Sequence, residues 1–123
     1  MHAWLRSSVT AYADHHDDLA RDDTSRTSPY LHFGCLSPAE LVAAAGRSRG
    51  AQAFARQLAW RDFNLQLLAA RPEVATEDYH RRGDQWRSDE EDLAAWREGR
   101  TGYPIVDAAM RQLRQEGWMH NRG

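Results

Sequence analysis

The stretch that most restricts the fold runs over residues 50–70, which reads as one long helix ended by Pro72. At about 100° per residue, Phe54, Leu58, Leu65 and Leu68 share one stripe, while Ala59, Phe63, Leu67 and Ala70 lie on the opposite side. A helix apolar on two sides is expected to be internal. Between those sides fall Gln57, Trp60 and Asn64, with Arg61 at the edge of the first stripe. Burying such groups unpaired costs roughly a few kcal/mol each, so they need partners, either in the protein or in a ligand.

The rest of the chain is punctuated as helices too. No stretch alternates with period two, and β-branched residues are few and scattered, so strands are not expected. A first helix is expected over residues 3–14, followed by a polar segment over residues 15–28. Ser37-Pro38-Ala39-Glu40 combines a capping Ser, Pro at the first helical position and Glu three residues after the cap, opening a helix that stops near Gly46. Residues 73–83 are polar and read as a loop. Ser88-Asp89-Glu90-Glu91 is a second capping-box start, with acids in the first turn and Gly99 as the stop. Thr101-Gly102-Tyr103-Pro104 forms a turn, and residues 105–116 an amphipathic helix closing at Gly117. The fold class expected is all-α.

Composition narrows the function. The formal net charge is −2, which excludes a general basic coat for nucleic acid but not a local basic surface. Residues 41–61 hold Arg47, Arg49, Arg56 and Arg61 and no acid, whereas residues 73–92 hold eight acids. All sixteen basic side chains are Arg, whose planar fork suits carboxylates and phosphates. The single Cys35 precludes an intramolecular disulfide and a Cys-based zinc site, and no metal site is expected. There is no run of 18 apolar residues, and the first residues lack the apolar region of a signal peptide. A soluble, cytoplasmic protein with no membrane partner is the expectation. Five Trp in 123 residues call for a purpose in packing, stacking or electron traffic.

Four blocks together resemble the photolyase and cryptochrome family of flavoproteins: Thr24-Ser25-Arg26-Thr27-Ser28-Pro29-Tyr30-Leu31-His32-Phe33-Gly34; Gln57-Leu58-Ala59-Trp60-Arg61-Asp62-Phe63; Gly99-Arg100-Thr101-Gly102-Tyr103-Pro104-Ile105-Val106-Asp107-Ala108-Ala109-Met110-Arg111; and Gly117-Trp118-Met119-His120-Asn121-Arg122. The resemblance implies that residues 1–123 are the N-terminal part of the family's helical FAD-binding domain. It also implies that the α/β antenna domain and the later half of the flavin domain are missing, so that the remainder of the photolyase chain is a partner. The cofactor implied is FAD, the antenna chromophore stays open, and the substrate implied is DNA containing pyrimidine dimers.

The residues divide by role. Thr24, Ser25, Arg26, Thr27 and Ser28 resemble the family's diphosphate-binding turn, where hydroxyls and successive N–H groups satisfy phosphate oxygens. The same string also suits a Ser/Thr turn that bonds only its own backbone. Tyr12 stands where the family has a Tyr against the cofactor, or else is a core tyrosine. Phe54 falls where some members have a Trp near the flavin. Gln57, Trp60, Arg61 and Asn64 resemble the wall between flavin and substrate, with Trp60 as a π surface for a flipped base and Arg61 as a phosphate contact. The alternative is a core Trp beside a buried ion pair. Many cyclobutane-dimer photolyases carry Glu at the place of Gln57, so the lesion type stays open. His16 and Asp23 are further departures, standing where family members often have Arg and Gly.

By the same resemblance, Asn121 faces flavin N5, Arg122 lies on the DNA side, and Trp86 is the outer member of a three-Trp electron relay. Otherwise Asn121 and Arg122 are a polar terminus and Trp86 a packing anchor. Trp96 and Trp118 read as core. The function implied is light-driven repair of pyrimidine dimers by electron transfer from reduced flavin, with Asn121, Gln57, Trp60 and Trp86 as the catalytic set. A cryptochrome-like blue-light receptor without repair and a small helical binding module without flavin are the alternatives. In the isolated 123 residues the face over residues 57–64 is expected to be exposed or mispacked, in a molten or oligomeric state with weak or no FAD binding.

Overall fold

The computed structural model describes residues 2–80 and 82–122. Every regular element among them is helical, as expected: α1 (His2–Ser7), a 3-10 turn (Val9–Ala11), α2 (Tyr12–His15), α3 (Ser28–His32), α4 (Pro38–Ala45), α5 (Arg49–Ala70), a second 3-10 turn (Pro72–Ala75), α6 (Glu90–Glu98) and α7 (Pro104–Glu116). The described residues form two compact units, one drawn from Met1–His16 and Asp23–Asp84, the other from Asp17–Asp22 and Gln85–Gly123.

In the first unit, α5 is the spine. The Ser48 side chain caps it by accepting from the Ala51 N–H at 3.1 Å. Its first half packs on the 3-10 turn, α2 and α4 around a core of Leu5, Val9, Tyr12, Leu41, Phe54 and Leu58, with Trp4 against the cluster. Gly50 makes the approach possible. A Cβ there would overlap the Val9 carbonyl oxygen and lie 2.5 Å from the Thr10 carbonyl oxygen, so only glycine lets the two backbones meet. The expectation of an internal helix holds for this half alone. Gly50, Ala51, Ala53, Phe54 and Leu58 are buried, while Trp60, Phe63, Leu65 and Leu68 are exposed, because the elements packed on α5 in this unit cover its N-terminal half.

The first helix is not continuous over residues 3–14. The Ser7 hydroxyl donates to the Ala3 carbonyl at 2.8 Å, competing with the backbone ladder, and the chain tightens into the 3-10 turn against which Gly50 docks. α3 falls just after the segment read as polar. It has one buried side chain, Leu31, and Pro29 in its first turn. α4 starts as expected, with Ser37 Oγ accepting from the Glu40 N–H at 3.4 Å.

In the second unit, α6 begins one residue later than the capping-box reading places it. Asp89, not Ser88, is the cap, because its extended backbone lets one carboxylate oxygen accept from the N–H groups of Glu91 at 3.0 Å and Asp92 at 3.2 Å. Gly99 ends α6 in the left-handed conformation, at φ 66°. A Cβ at Gly99 would come 2.7 Å from the Asp107 carbonyl oxygen, so the turn and the start of α7 can close only on glycine. Trp96 is 47% exposed, which corrects the reading of it as core; α6 has no buried residue. Trp118 is half-buried, edge-on to His120 at 6.5 Å. No helix among the described residues is long and apolar enough to cross a membrane.

Candidate cofactor and nucleic-acid site

The 24–28 turn belongs to the first unit. Arg26 takes a left-handed φ of 49°, uncommon for a residue with a side chain, and this reverses the backbone between the hydroxyls of the turn. Ser25 Oγ and Thr27 Oγ1 share a hydrogen bond of 2.8 Å, and Thr27 is buried. Thr24 Oγ1 is different: it is buried and has no hydrogen-bond partner among the described residues. A hydroxyl in that state costs about 1–3 kcal/mol unless a ligand completes it. An orphaned hydroxyl beside a left-handed reversal has the chemistry of an anion cradle, so the residues present fit a diphosphate.

Asp23 precedes the turn and is held from two sides. The Trp4 indole N–H donates to its carbonyl at 3.1 Å, and His15 Nδ1 lies 2.9 Å from its carboxylate. Tyr12 is buried in an edge-to-face cluster, 5.6 Å from Trp4 and 5.7 Å from Phe54, which is itself 5.1 Å from Trp4. Both residues expected at the cofactor thus sit in the core of this unit, packed against each other and against Trp4. The Tyr12 ring also lies 4.9 Å from that of His16, whose Nδ1 donates to the Tyr12 carbonyl at 2.9 Å.

Farther along α5, Gln57, Trp60, Arg61 and Asn64 follow the three-to-four-residue spacing that places side chains on one helix face. Gln57 and Asn64 are exposed, and Trp60 is 59% exposed, edge-on to Phe63 at 5.5 Å. Arg61 is turned to the unit itself, donating to the Leu31 carbonyl at 3.3 Å and to Asp62 at 3.2 Å. The exposure expected for this face is present.

The second unit carries Trp86, Asn121 and Arg122, all exposed. Beside Trp86, Arg87 is tied to Asp89 at 3.3 Å and Asp92 at 2.8 Å. The Arg122 guanidinium donates from Nε to Asp17 Oδ1 at 2.7 Å, and its backbone N–H donates to Nδ1 of the buried His120 at 3.2 Å. A groove of about 450 Å³ runs along α7, with Leu19, Ile105, Ala108 and Met119 in its lining. None of the residues expected to bind flavin or DNA lines it.

Sequence reasoning missed the clasp that makes this unit. Asp107, buried at the start of α7, accepts from the Thr101 hydroxyl at 2.6 Å, the Thr101 N–H at 2.7 Å and the Gly102 N–H at 3.0 Å. The Thr101 hydroxyl bond, helped by the two backbone donors and Arg111, holds the Asp107 carboxyl below the usual carboxylate range. Arg111 donates to the Gly99 carbonyl at 2.8 Å, covering the C-terminus of α6. The signal was present as Thr101 six residues before Asp107 across a Gly and a Pro, a spacing that suits a side chain closing its own turn. Among the described residues no group of three or more His, Cys, Asp or Glu could hold a metal ion.

Residues 54–123 match the family described as the FAD binding domain of DNA photolyase. The deoxyribodipyrimidine photo-lyase of Streptomyces griseus is 58% identical over 122 residues, covering 98% of this chain and 27% of that protein. The enzyme of the same name from Escherichia coli K12 is 41% identical over 134 residues, with 97% and 27% covered. The crystal structure of a bacterial class III photolyase from Agrobacterium tumefaciens superposes with a TM-score of 0.91 at 38% identity, over 97% of this chain and 26% of that one. The chain thus spans about a quarter of the length of the relatives it matches, and over that span its all-α fold matches that of the class III photolyase. From the pattern of its residues and the course of its helices together, the chain belongs to the family of the photolyase FAD-binding domain.

Proposed function

We propose that residues 1–123 are the N-terminal part of the flavin domain of a light-driven photolyase that repairs pyrimidine dimers in DNA. The observation that carries this reading is the buried, unpartnered Thr24 Oγ1 in a turn reversed at Arg26. In this reading the FAD diphosphate is held by Thr24, Ser25, Arg26, Thr27 and Ser28, and Tyr12 and Phe54 support the cofactor's side of the unit from the core in which they are buried. Reduced FAD, when bound, supplies the light-excited electron that splits the dimer. Trp60 offers its exposed ring to the flipped base, a stacking contact worth about 1–3 kcal/mol. Gln57 and Asn64, on the same face, donate amide hydrogens to the base or its sugar.

Arg61 braces α5 against Leu31 and keeps a positive charge on the DNA side. On the second unit, Asn121 acts as a neutral amide toward the flavin, Arg122 as a phosphate contact, and Trp86 as a solvent-side electron entry. Phosphate contacts make the affinity salt-dependent. The DNA-handling parent would act in the cytoplasm.

The test is a dimer-containing oligonucleotide with the complete protein under blue light. Light-dependent recovery of intact thymines is the expected result. Flavin photoreduction without recovery would overturn repair and leave a photoreceptor, whose neutral Gln57 suits it equally. A complete protein with no flavin spectrum would remove both.

A further inference from the structure

Three groups meet just ahead of the 24–28 turn, and the proposed flavin chemistry uses none of them. The Trp4 indole N–H donates to the Asp23 carbonyl at 3.1 Å, and His15 approaches the Asp23 carboxylate at 2.9 Å. A carboxylate only accepts, so Nδ1 of His15 carries the proton in this contact. The residue next in sequence is Thr24, the one with the orphaned hydroxyl. Asp23 is thus held at its main chain and its side chain by α1 and α2, immediately before the backbone reverses at Arg26.

We propose that His15 and Trp4, acting through Asp23, are positioning residues for the 24–28 turn and so for its diphosphate ligand. The inference rests on the reading of that turn as a diphosphate cradle. Two physical effects support it. Each residue has only two soft backbone torsions, so pinning the carbonyl and carboxylate of residue 23 removes freedom that the ligand would otherwise have to order. A carboxylate one residue from an anion site also opposes the anion, and the His15 N–H directed at it offsets part of that field. His15 therefore both orders the turn and relieves its least favourable charge.

The test uses the complete protein freed of flavin, with ADP as the diphosphate probe and backbone amide hydrogen exchange as the readout. His15→Ala is expected to weaken ADP about threefold to fivefold, the range of one partly exposed hydrogen-bonded pair. His15→Asn, which keeps an N–H donor near the place of Nδ1, is expected to restore affinity to within about twofold. Without ligand, the amides of residues 24–28 should exchange faster in His15→Ala than in His15→Asn, with the melting temperature unchanged between them. If ADP slows the exchange of none of those amides in the unsubstituted complete protein, the diphosphate reading falls and the inference with it. If ADP binds but His15→Ala leaves affinity or exchange unaltered, only the positioning role is overturned.

Discussion

Replacing Gly50 by Ala sets two well-defined effects against each other. In an exposed helix the change would stabilise by about 1 kcal/mol, because glycine is the poorer helix former. Here the added methyl would overlap the Val9 carbonyl oxygen and stand 2.5 Å from the Thr10 oxygen and 2.7 Å from the Thr10 carbon. Those are backbone atoms and cannot rotate away, so α5 must move outward by roughly 1.5 Å to reach ordinary contact, enough to forfeit about half or more of the local dispersion energy. The gap would open between Val9, Tyr12 and Phe54, which are all in the core. Overpacking of this kind costs about 1–3 kcal/mol, and rigid neighbours place it at the upper end. The net expectation is a loss of about 2 kcal/mol, or roughly 6–10 °C in melting temperature for a chain of this size. Urea unfolding followed by circular dichroism at an unchanged m-value is the assay, with Gln66→Ala on the exposed part of α5 as control. A Gly50→Ala chain as stable as the original, or more so, would show that propensity wins and that the close approach of α5 to the 3-10 turn is not real.

Thr24→Val removes the unpartnered hydroxyl, so the unfolding free energy in urea should rise by about 1 kcal/mol while the complete protein's affinity for ADP falls; opposite signs in one variant separate a ligand group from a packing group. Trp60→Ala, at an exposed site, should change stability by no more than about 0.5 kcal/mol, as thermal melts would show. In gel-shift titrations of the complete protein it should weaken dimer-containing DNA by about 1–3 kcal/mol. For Asp107 the folded carboxyl titrates below its unfolded value, so its stabilisation is present above the unfolded pKa of about 3.9 and is lost as pH falls through the lower folded value. Helicity followed by circular dichroism from neutral to acid pH should show that loss, and Asp107→Asn should be less stable at pH 7 and lack this part of the acid response.

Much of the fold was legible because its signals are local. A cap is decided within one turn of helix, so Ser37 with Pro38, and the glycines at positions 99 and 117, could be read directly. Where the structure differs from that reading, a second feature acts over the same short range: Asp89 displaces Ser88 as a cap, and a 3-10 turn interrupts the first helix just after Ser7. The 24–28 turn could be located by resemblance, but its reversed Arg26, its orphaned Thr24 hydroxyl and the His15–Asp23 anchor could not. The partners of Asp23 come from α1 and α2, and Trp4 lies 19 residues from it along the chain.

The five Trp mark the division between the two kinds of information. Sequence alone determined that aromatic side chains are dense and, through helical periodicity, that Phe54 and Phe63 point to opposite sides of one helix with Trp60 between them. Tertiary structure decided that Trp4 packs with Tyr12 and Phe54, whereas Trp60, Trp86 and Trp96 stand in solvent and Trp118 lies between the two conditions. The physical reason is that periodicity records the angle of a side chain about its own helix axis. Burial depends on what another part of the chain brings against that angle.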